Sequence, residues 1–431
     1  MAKQIKAIKC PHCGSINKSE VKADHFKCNS CNTEYFLDND DININHNVNY
    51  NTPNFNPVLG RKMALFIGIG VFAFILLTLI IPAIFRSSSP SPSFNKSAYQ
   101  APERDDFFWH YRETITYTNS KGEVIVLIFG NRNYMGNDNK AKEGTYLSFF
   151  NLLSAKEIKT QKIDGIAEAT HTNFQLRQFP DGKIYGIANK TNVFEIDKEN
   201  YTASDVTQSL FKGHSKLASG IANAEFAYDS YGHAFNLMSN EGANVFFYPL
   251  ENKIYTKDEV YAAQRALVTK EPNEKLKTKF DFTSLSSDYP EEKIQLIRFT
   301  MKDSQGGPDD DAHLSWRNDH FVGRSLTSFG SKFVRNFIDL TPGRLYFKPD
   351  ILYSDDDYVV ITANKTAAEA APTNIQCIDA KTGQLVFTYP FPTNQRFEDA
   401  IRYKDGIVVK SYSLILAIGL DGKLIKEFKI K

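Results

Sequence analysis

The chain has 431 residues, with 51 lysines and arginines against 50 aspartates and glutamates. That length allows two or three domains, and the near-zero net charge excludes a whole-chain electrostatic nucleic-acid binder, which needs a basic face. Four of its five cysteines precede residue 32, leaving Cys377 alone in the remainder, so the larger part of the chain holds itself by packing and not by internal disulfides.

Residues 1–38 carry two C-x-x-C knuckles, Cys10-Pro-His-Cys13 and Cys28-Asn-Ser-Cys31, with fourteen residues between them. Each knuckle turns two thiolates to one point, and the intervening loop brings the pairs together, which suits tetrahedral Zn2+. Cys10, Cys13, Cys28 and Cys31 are the predicted metal ligands, and reduced thiolates fit a cytosolic compartment. Gly14 follows the second ligand, where a turn favours positive φ, and Phe26, Tyr35 and Phe36 supply the few apolar contacts such a module needs. His12 and His25 are alternative ligands that four well-spaced cysteines displace. The segment resembles the zinc-ribbon family, whose members bind nucleic acid, bind protein or cap a chain; the metal it implies is structural.

Residues 39–62 form an asparagine-rich linker in which Ile42, Ile44, Val48 and Tyr50 alternate with polar residues before two prolines. The tract reads as a tether. Residues 63–85, MALFIGIGVFAFILLTLIIPAIF, contain no charge and at about 1.5 Å per residue are long enough to cross a bilayer core of about 30 Å. They are predicted to be a transmembrane helix. Arg61 and Lys62 flank its start and Arg86 its end, with Lys18, Lys22 and Lys27 further back. The positive-inside rule then places the N-terminus in the cytoplasm and the C-terminal part outside the cytoplasmic (plasma) membrane. Residues 86–104 are a Ser/Pro-rich spacer.

Residues 105–431 read as all-β. Short β-branched or alternating runs recur between Gly, Asn and Asp turns: Glu123–Phe129, Lys183–Ala188, Asn244–Tyr248, Ile294–Phe299 and Tyr358–Ile361. A turn repeat accompanies them. Ile338-Asp-Leu-Thr-Pro-Gly343-Arg-Leu-Tyr-Phe347 matches Ile378-Asp-Ala-Lys-Thr-Gly383-Gln-Leu-Val-Phe387, with a weaker copy at 418–428 and degenerate ones around Ser154, Asp197 and Glu251. The Asp side chain accepts backbone amides across the turn and the Gly takes positive φ, and a spacing of about 40–45 residues is that of four-stranded propeller blades. The Asp-x-x-Thr-Gly-x-Leu-x-Phe turn resembles the repeat of quinoprotein-type (PQQ-like) β-propellers. The resemblance implies blade packing in a six- or seven-bladed propeller. It does not carry over the quinone, because the vicinal disulfide is absent and the only tryptophans are Trp109 and Trp316. Between residues 256 and 336 the pattern blurs, and Thr256-Lys-Asp-Glu259 forms a capping box opening a helix over 257–268.

No P-loop, G-x-S-x-G elbow, H-E-x-x-H or dinucleotide fingerprint occurs. Asp309-Asp310-Asp311 and Asp355-Asp356-Asp357 are acidic runs without the alternating spacing of a calcium loop, and read as solvated turns. His110, His171, His214, His233, His313 and His320 are scattered, and Arg298, Arg317, Arg324, Arg335 and Arg344 read as surface ion pairs. The expected protein is a single-pass, membrane-anchored binding scaffold: a cytoplasmic zinc ribbon, partners in the lipid bilayer, and an external propeller that binds a protein, peptide or glycan. Nucleic acid is not expected. The alternative is a propeller enzyme, a quinoprotein-like oxidoreductase or a hydrolase, with an axial acid/base site.

Overall fold

A computed structural model describes residues 10–11, 14–22, 25–30, 33–36, 107–134, 141–166, 173–320, 323–326 and 334–430, all within one compact unit. The linker, the apolar run 63–85, the spacer, Cys13, Cys31, His12, His46 and His171 lie outside the described residues. Among those described, no helix is long and apolar enough to cross a membrane.

The N-terminal module is a three-stranded antiparallel sheet of Lys18–Lys22, His25–Cys28 and Glu34–Phe36. Its two knuckles are closed alike. The Cys10 amide donates to the Ser15 carbonyl and the Cys28 amide to the Thr33 carbonyl, each at 2.8 Å, so both turns span five residues. Gly14 has φ 71°, and Cys10 and Cys28 are buried together with Tyr35 against Phe26.

From residue 107 onward the described chain forms successive antiparallel sheets, numbered here 1 to 6: residues 107–163, 174–205, 221–255, 276–339, 350–390 and 399–429. Sheets 1, 2, 3, 5 and 6 have four strands each in sequence order, whereas sheet 4 has three, with a two-stranded hairpin (Trp316–Asp319 and Gly323–Leu326) inserted before its last strand. Second strands are covered on both faces, which is why they read as unbroken apolar runs: Val124–Phe129 is buried throughout, as are Ile184–Ala188 and Gly406–Lys410. Fourth strands such as Lys156–Ile163 are mostly exposed and correspondingly charged.

Except between sheets 3 and 4, each sheet packs directly on the next. Phe129 meets Phe174 at 4.7 Å between ring centroids across sheets 1 and 2. Phe179 and Tyr185 pack on Phe235 across sheets 2 and 3. Leu296 shares a core with Val359 and Ile361 across sheets 4 and 5, and Val360 and Cys377 share one with Ile407 and Leu416 across sheets 5 and 6. Val126 and Ile128 of sheet 1 then pack on Val408 and Ala417 of sheet 6, so the last sheet lies on the first. Sheets 3 and 4 are joined through a helix (Lys257–Ala266) and the 303–311 loop: Gln264 donates to the Asp309 carbonyl at 2.5 Å, and the Asp309 amide to the Tyr231 carbonyl at 3.3 Å. The expected capping box is present, with Thr256 Oγ1 accepting from the Glu259 amide and Glu259 accepting from the Thr256 amide; the helix ends at Ala266, two residues earlier than expected. First strands of sheets 1 and 2, 2 and 3, 4 and 5, 5 and 6, and 6 and 1 lie side by side. This all-β cycle of sheets is the β-propeller arrangement that the turn repeat implied.

The repeat is broader than its glycines. In all five four-stranded sheets the turn from third to fourth strand holds one residue at positive φ: Ala155 (55°), Tyr201 (56°), Asn252 (50°), Gly383 (71°) and Gly422 (78°). An Asx side chain braces four of them. Asp379 Oδ1 accepts from the Lys381 and Thr382 amides at 3.0 and 2.7 Å, Asp197 likewise accepts two amides in sheet 2, and Asn151 and Asp421 accept one each in sheets 1 and 6. The copy at 338–347 departs from the expected strand–turn–strand. Asp339 Oδ1 accepts from the Thr341 amide at 3.0 Å and Gly343 has φ 81°, but no strand forms over 344–347, so sheet 4 ends at its third strand.

Candidate functional site

Where sheets meet, charged and polar side chains tie one to the next. Ser120 donates to Glu199 through its amide and hydroxyl (2.8 and 2.6 Å) across sheets 1 and 2. Arg177 donates to the Ala227 carbonyl at 2.7 Å and pairs with Asp229 at 3.2 Å across sheets 2 and 3, where Lys190 also pairs with Glu225. Arg298 donates to the Ala380 and Lys381 carbonyls (3.1 and 3.3 Å) across sheets 4 and 5. Arg402 of sheet 6 bridges Asp355 and Asp357 of sheet 5 at 3.0 and 2.9 Å. Two acidic runs are thereby explained: the run 309–311 corrects the reading as a solvated turn, whereas 355–357 is a partly solvated turn that also carries ion pairs. Asp355 and Asp357 form an inter-sheet clamp, in which Arg402 and Lys381 hold the Asp357 carboxyl down to about 2. Asp309 is largely buried and paired with Lys277 and Lys279, which also reaches Asp311 at 3.6 Å.

The densest cluster of buried charge closes the cycle between sheets 6 and 1. Lys410 is buried, donates to the Thr114 carbonyl at 2.8 Å and to Glu398 at 3.2 Å, and lies 3.9 Å from Glu113. Burial raises the carboxyls of Glu113 and Asp399 above their ordinary range, although Lys410 pulls both down. Arg112 adds a bond to the Tyr412 carbonyl at 3.2 Å. Neither Glu113 nor Asp399 was singled out as a site residue from sequence. The only signal was a charged pair, Glu398-Asp399, opening a strand, and a lysine closing the buried run Gly406–Lys410.

The other sequence candidates do not converge. His110 lies against Tyr111 with the rings tilted by 46° in sheet 1, His214 Nε2 lies 3.1 Å from Asn252 Oδ1 beside sheet 3, and burial lowers the pKa of His233. No group of three or more His, Cys, Asp or Glu side chains among the described residues could hold a metal; two of the four predicted thiolates lie outside that set. Arg324 pairs with Glu292 and lies over Trp316 (4.4 Å), and Arg335 makes a two-point bond to Glu274 (2.6 and 3.0 Å), as ion-pairing residues should. Burial raises the Cys377 thiol to about 12, so it serves as an inert core residue.

Clefts also open at the surface of the described residues. A cleft of about 680 Å³ is lined by Phe211, Lys212, His214 and Leu217 in the connection from sheet 2 to sheet 3. Another, of about 740 Å³, lies where the knuckle residues Gly14–Ile16 face the 340–344 turn and the 382–388 hairpin. There the Leu345 amide donates to the Pro11 carbonyl at 2.5 Å, and Leu385 packs on Cys10, Cys28 and Tyr35.

No family model matches the chain, and no curated protein matches it. Among solved structures, the chain is similar to the Dos1 propeller at 8% identity, covering 75% of this chain and 76% of that one with a TM-score of 0.24. It is similar to BamB from Moraxella catarrhalis at 10% identity, covering 76% and 92%, TM-score 0.24, and to a glycosyl hydrolase from Bacteroides ovatus at 10%, covering 75% and 83%, TM-score 0.23. At these scores the fold rests on the sheet order and packing alone.

Proposed function

We propose that this chain is a single-pass membrane protein whose six sheets are the blades of a propeller that binds a protein, peptide or glycan outside the cytoplasmic membrane. The observation that carries the reading is the packing of sheet 6 on sheet 1, which makes the blades one rigid platform with loops from every sheet on two faces. The charged residues that could have built a catalytic centre are instead largely used to tie neighbouring sheets together. A structural Zn2+ held by Cys10, Cys13, Cys28 and Cys31 fits the matched closure of the two knuckles and the shared burial of Cys10 and Cys28.

Anchoring and the knuckle contact compete. A chain that crosses the bilayer once at 63–85 keeps the ribbon and the propeller in different compartments, where Pro11 cannot reach Leu345. The run holds fifteen Leu, Ile, Phe and Val residues, which favour insertion by roughly 5–9 kcal/mol at about 0.3–0.6 each. The contact offers one backbone hydrogen bond and the covering of one leucine, roughly 2–5 kcal/mol together, besides the packing of Arg344 on Gly14. Insertion wins, with the N-terminus in the cytoplasm. Protease added to intact cells should digest the large domain and spare an N-terminal tag; a protected large domain overturns the topology.

A second reading, an enzyme using Glu113 or Asp399 as the acid, is favoured by the raised pKa of each. Full-length chain in lipid nanodiscs, exposed to arrayed peptides and glycans, separates the two. Saturable capture with the ligand recovered intact by mass spectrometry supports binding; a ligand recovered cleaved or oxidised supports the enzyme.

A further inference from the structure

One connection carries charged and polar side chains that the fold does not use. Residues 206–220 join sheets 2 and 3, and two of them, Phe211 and Leu217, are buried in the core that those sheets share. Between these anchors His214 lies edge-on to Phe247 at 5.3 Å, and its Nε2 is 3.1 Å from Asn252 Oδ1 in the turn of sheet 3. The tip of the connection is thus held at three points, and a loop already immobilised loses little freedom on binding. Around it Gln208, Lys212, Ser215 and Lys216 are exposed and make no side-chain hydrogen bond or ion pair among the described residues.

These residues border two clefts. One, of about 680 Å³, is lined by Gln208 and Lys212; the second, of about 330 Å³, by Lys216 and by Lys253 of the sheet 3 turn; Gly213–Ser215 line both and form the ridge between them. Both volumes lie within the range of about 300–1,000 Å³ of ligand pockets. Three lysines and no acid line the two clefts among the described residues. The acids beside them are engaged: Asp205 accepts from the Thr207 amide, Glu251 from the Tyr255 hydroxyl and Glu259 from Thr256. An anion entering the clefts meets cations with no lining carboxylate to compete for them.

The remaining lining favours a saccharide over a peptide. A peptide that adds as a strand draws its affinity from main-chain bonds along a sheet edge, and the strand that reaches these clefts, Lys253–Tyr255, has three residues. Gln208, Ser215 and Asn252 offer carboxamide and hydroxyl groups, which match the hydroxyls of sugar rings, beside apolar Phe211 and Ile221. Two clefts flanking one ridge suit a ligand of several linked units.

We infer that the paired clefts around residues 212–216 bind an acidic oligosaccharide across the ridge, its carboxylates on Lys212, Lys216 and Lys253 and its hydroxyls on Gln208 and Ser215. The inference rests on the binding reading above and names the ligand class.

The test uses full-length chain in nanodiscs of zwitterionic lipid with trigalacturonate as the probe, read by isothermal titration calorimetry and amide hydrogen exchange. Saturable binding with protection of residues 208–216 is expected, and the trimer should be recovered intact. Its methyl ester, which keeps the rings and removes the charge, and a capped triglutamate peptide should each bind at least tenfold more weakly. Lys212→Glu and Lys216→Glu should each weaken binding at least tenfold and Gln208→Ala several-fold, with melting unchanged because all three positions are exposed. The inference is overturned if the trimer does not bind, if its methyl ester binds equally, or if protection falls outside 208–216. It is equally overturned if triglutamate binds as tightly, which would make the ligand an acidic peptide, or if Gln208→Ala changes nothing, which would leave only unspecific charge attraction. Capture of another ligand on the arrays by a chain that leaves the trimer unbound would overturn this site and leave the binding reading standing.

Discussion

Gly383 and Gly343 sit in matching turns, yet alanine at the two positions should have different costs. Both have positive φ, 71° and 81°, so either substitution forces an L-residue into the left-handed region at about 1–2 kcal/mol. The surroundings then separate them. A Cβ added at Gly383 would fall on the carbonyl oxygen of Leu340, with the Leu340 carbonyl carbon at 2.9 Å and Cγ at 3.4 Å, whereas nothing lies within 4 Å of one at Gly343. The obstacle is backbone from the neighbouring sheet, which cannot rotate away as a side chain would. Overpacking of this kind adds about 1–3 kcal/mol. Gly383→Ala should therefore destabilise by about 2–5 kcal/mol and Gly343→Ala by about 1–2. Thermal and urea unfolding of the two variants beside the parent would measure the difference. Equal losses would refute the reasoning, because they would mean that the turns of sheets 4 and 5 do not touch. Losses near zero at both would remove the turn repeat as a structural element.

The remaining expectations concern the metal and the buried acids. Purified full-length chain should carry about one zinc per molecule by elemental analysis, and Cys28→Ser should remove it without changing the melting of the propeller; retention of zinc in that variant would move the site elsewhere. Burial raises the Asp399 pKa in the fold, so the folded state binds the proton more tightly than the unfolded chain, and stability from this group is intact below the unfolded value of about 4 and declines as pH rises through the folded pKa. Asp399→Asn should then raise the melting temperature at pH 7 and leave it nearly unchanged near pH 4. A variant that melts lower at pH 7 would show that the Asp399 charge is a favourable partner of Lys410 and not a tolerated burial.

Much of this molecule was legible from short stretches of chain, because the interactions that shape them close within a few residues. The knuckle spacing, the uncharged run at 63–85, the Asp379–Gly383 turn and the Thr256–Glu259 capping box are of this kind, and the two that fall wholly within the described residues, the turn and the box, have the expected local geometry. Second strands were legible too, since burial on both faces demands apolar residues at every position. What only the tertiary structure decided depends on groups far apart in sequence. Lys410 meets Thr114 across 296 residues and Arg402 meets Asp355 across 47, so no local pattern could show that the acidic run 355–357 is a clamp or that Glu113 lies in a charged cluster. The missing fourth strand of sheet 4 is the clearest case. Residues 338–347 match the motif of a complete hairpin, with an Asp brace and a positive-φ Gly, but over 344–347 the backbone bonds go to Thr341, Pro11 and Asn364 and not to the third strand, so no fourth strand forms.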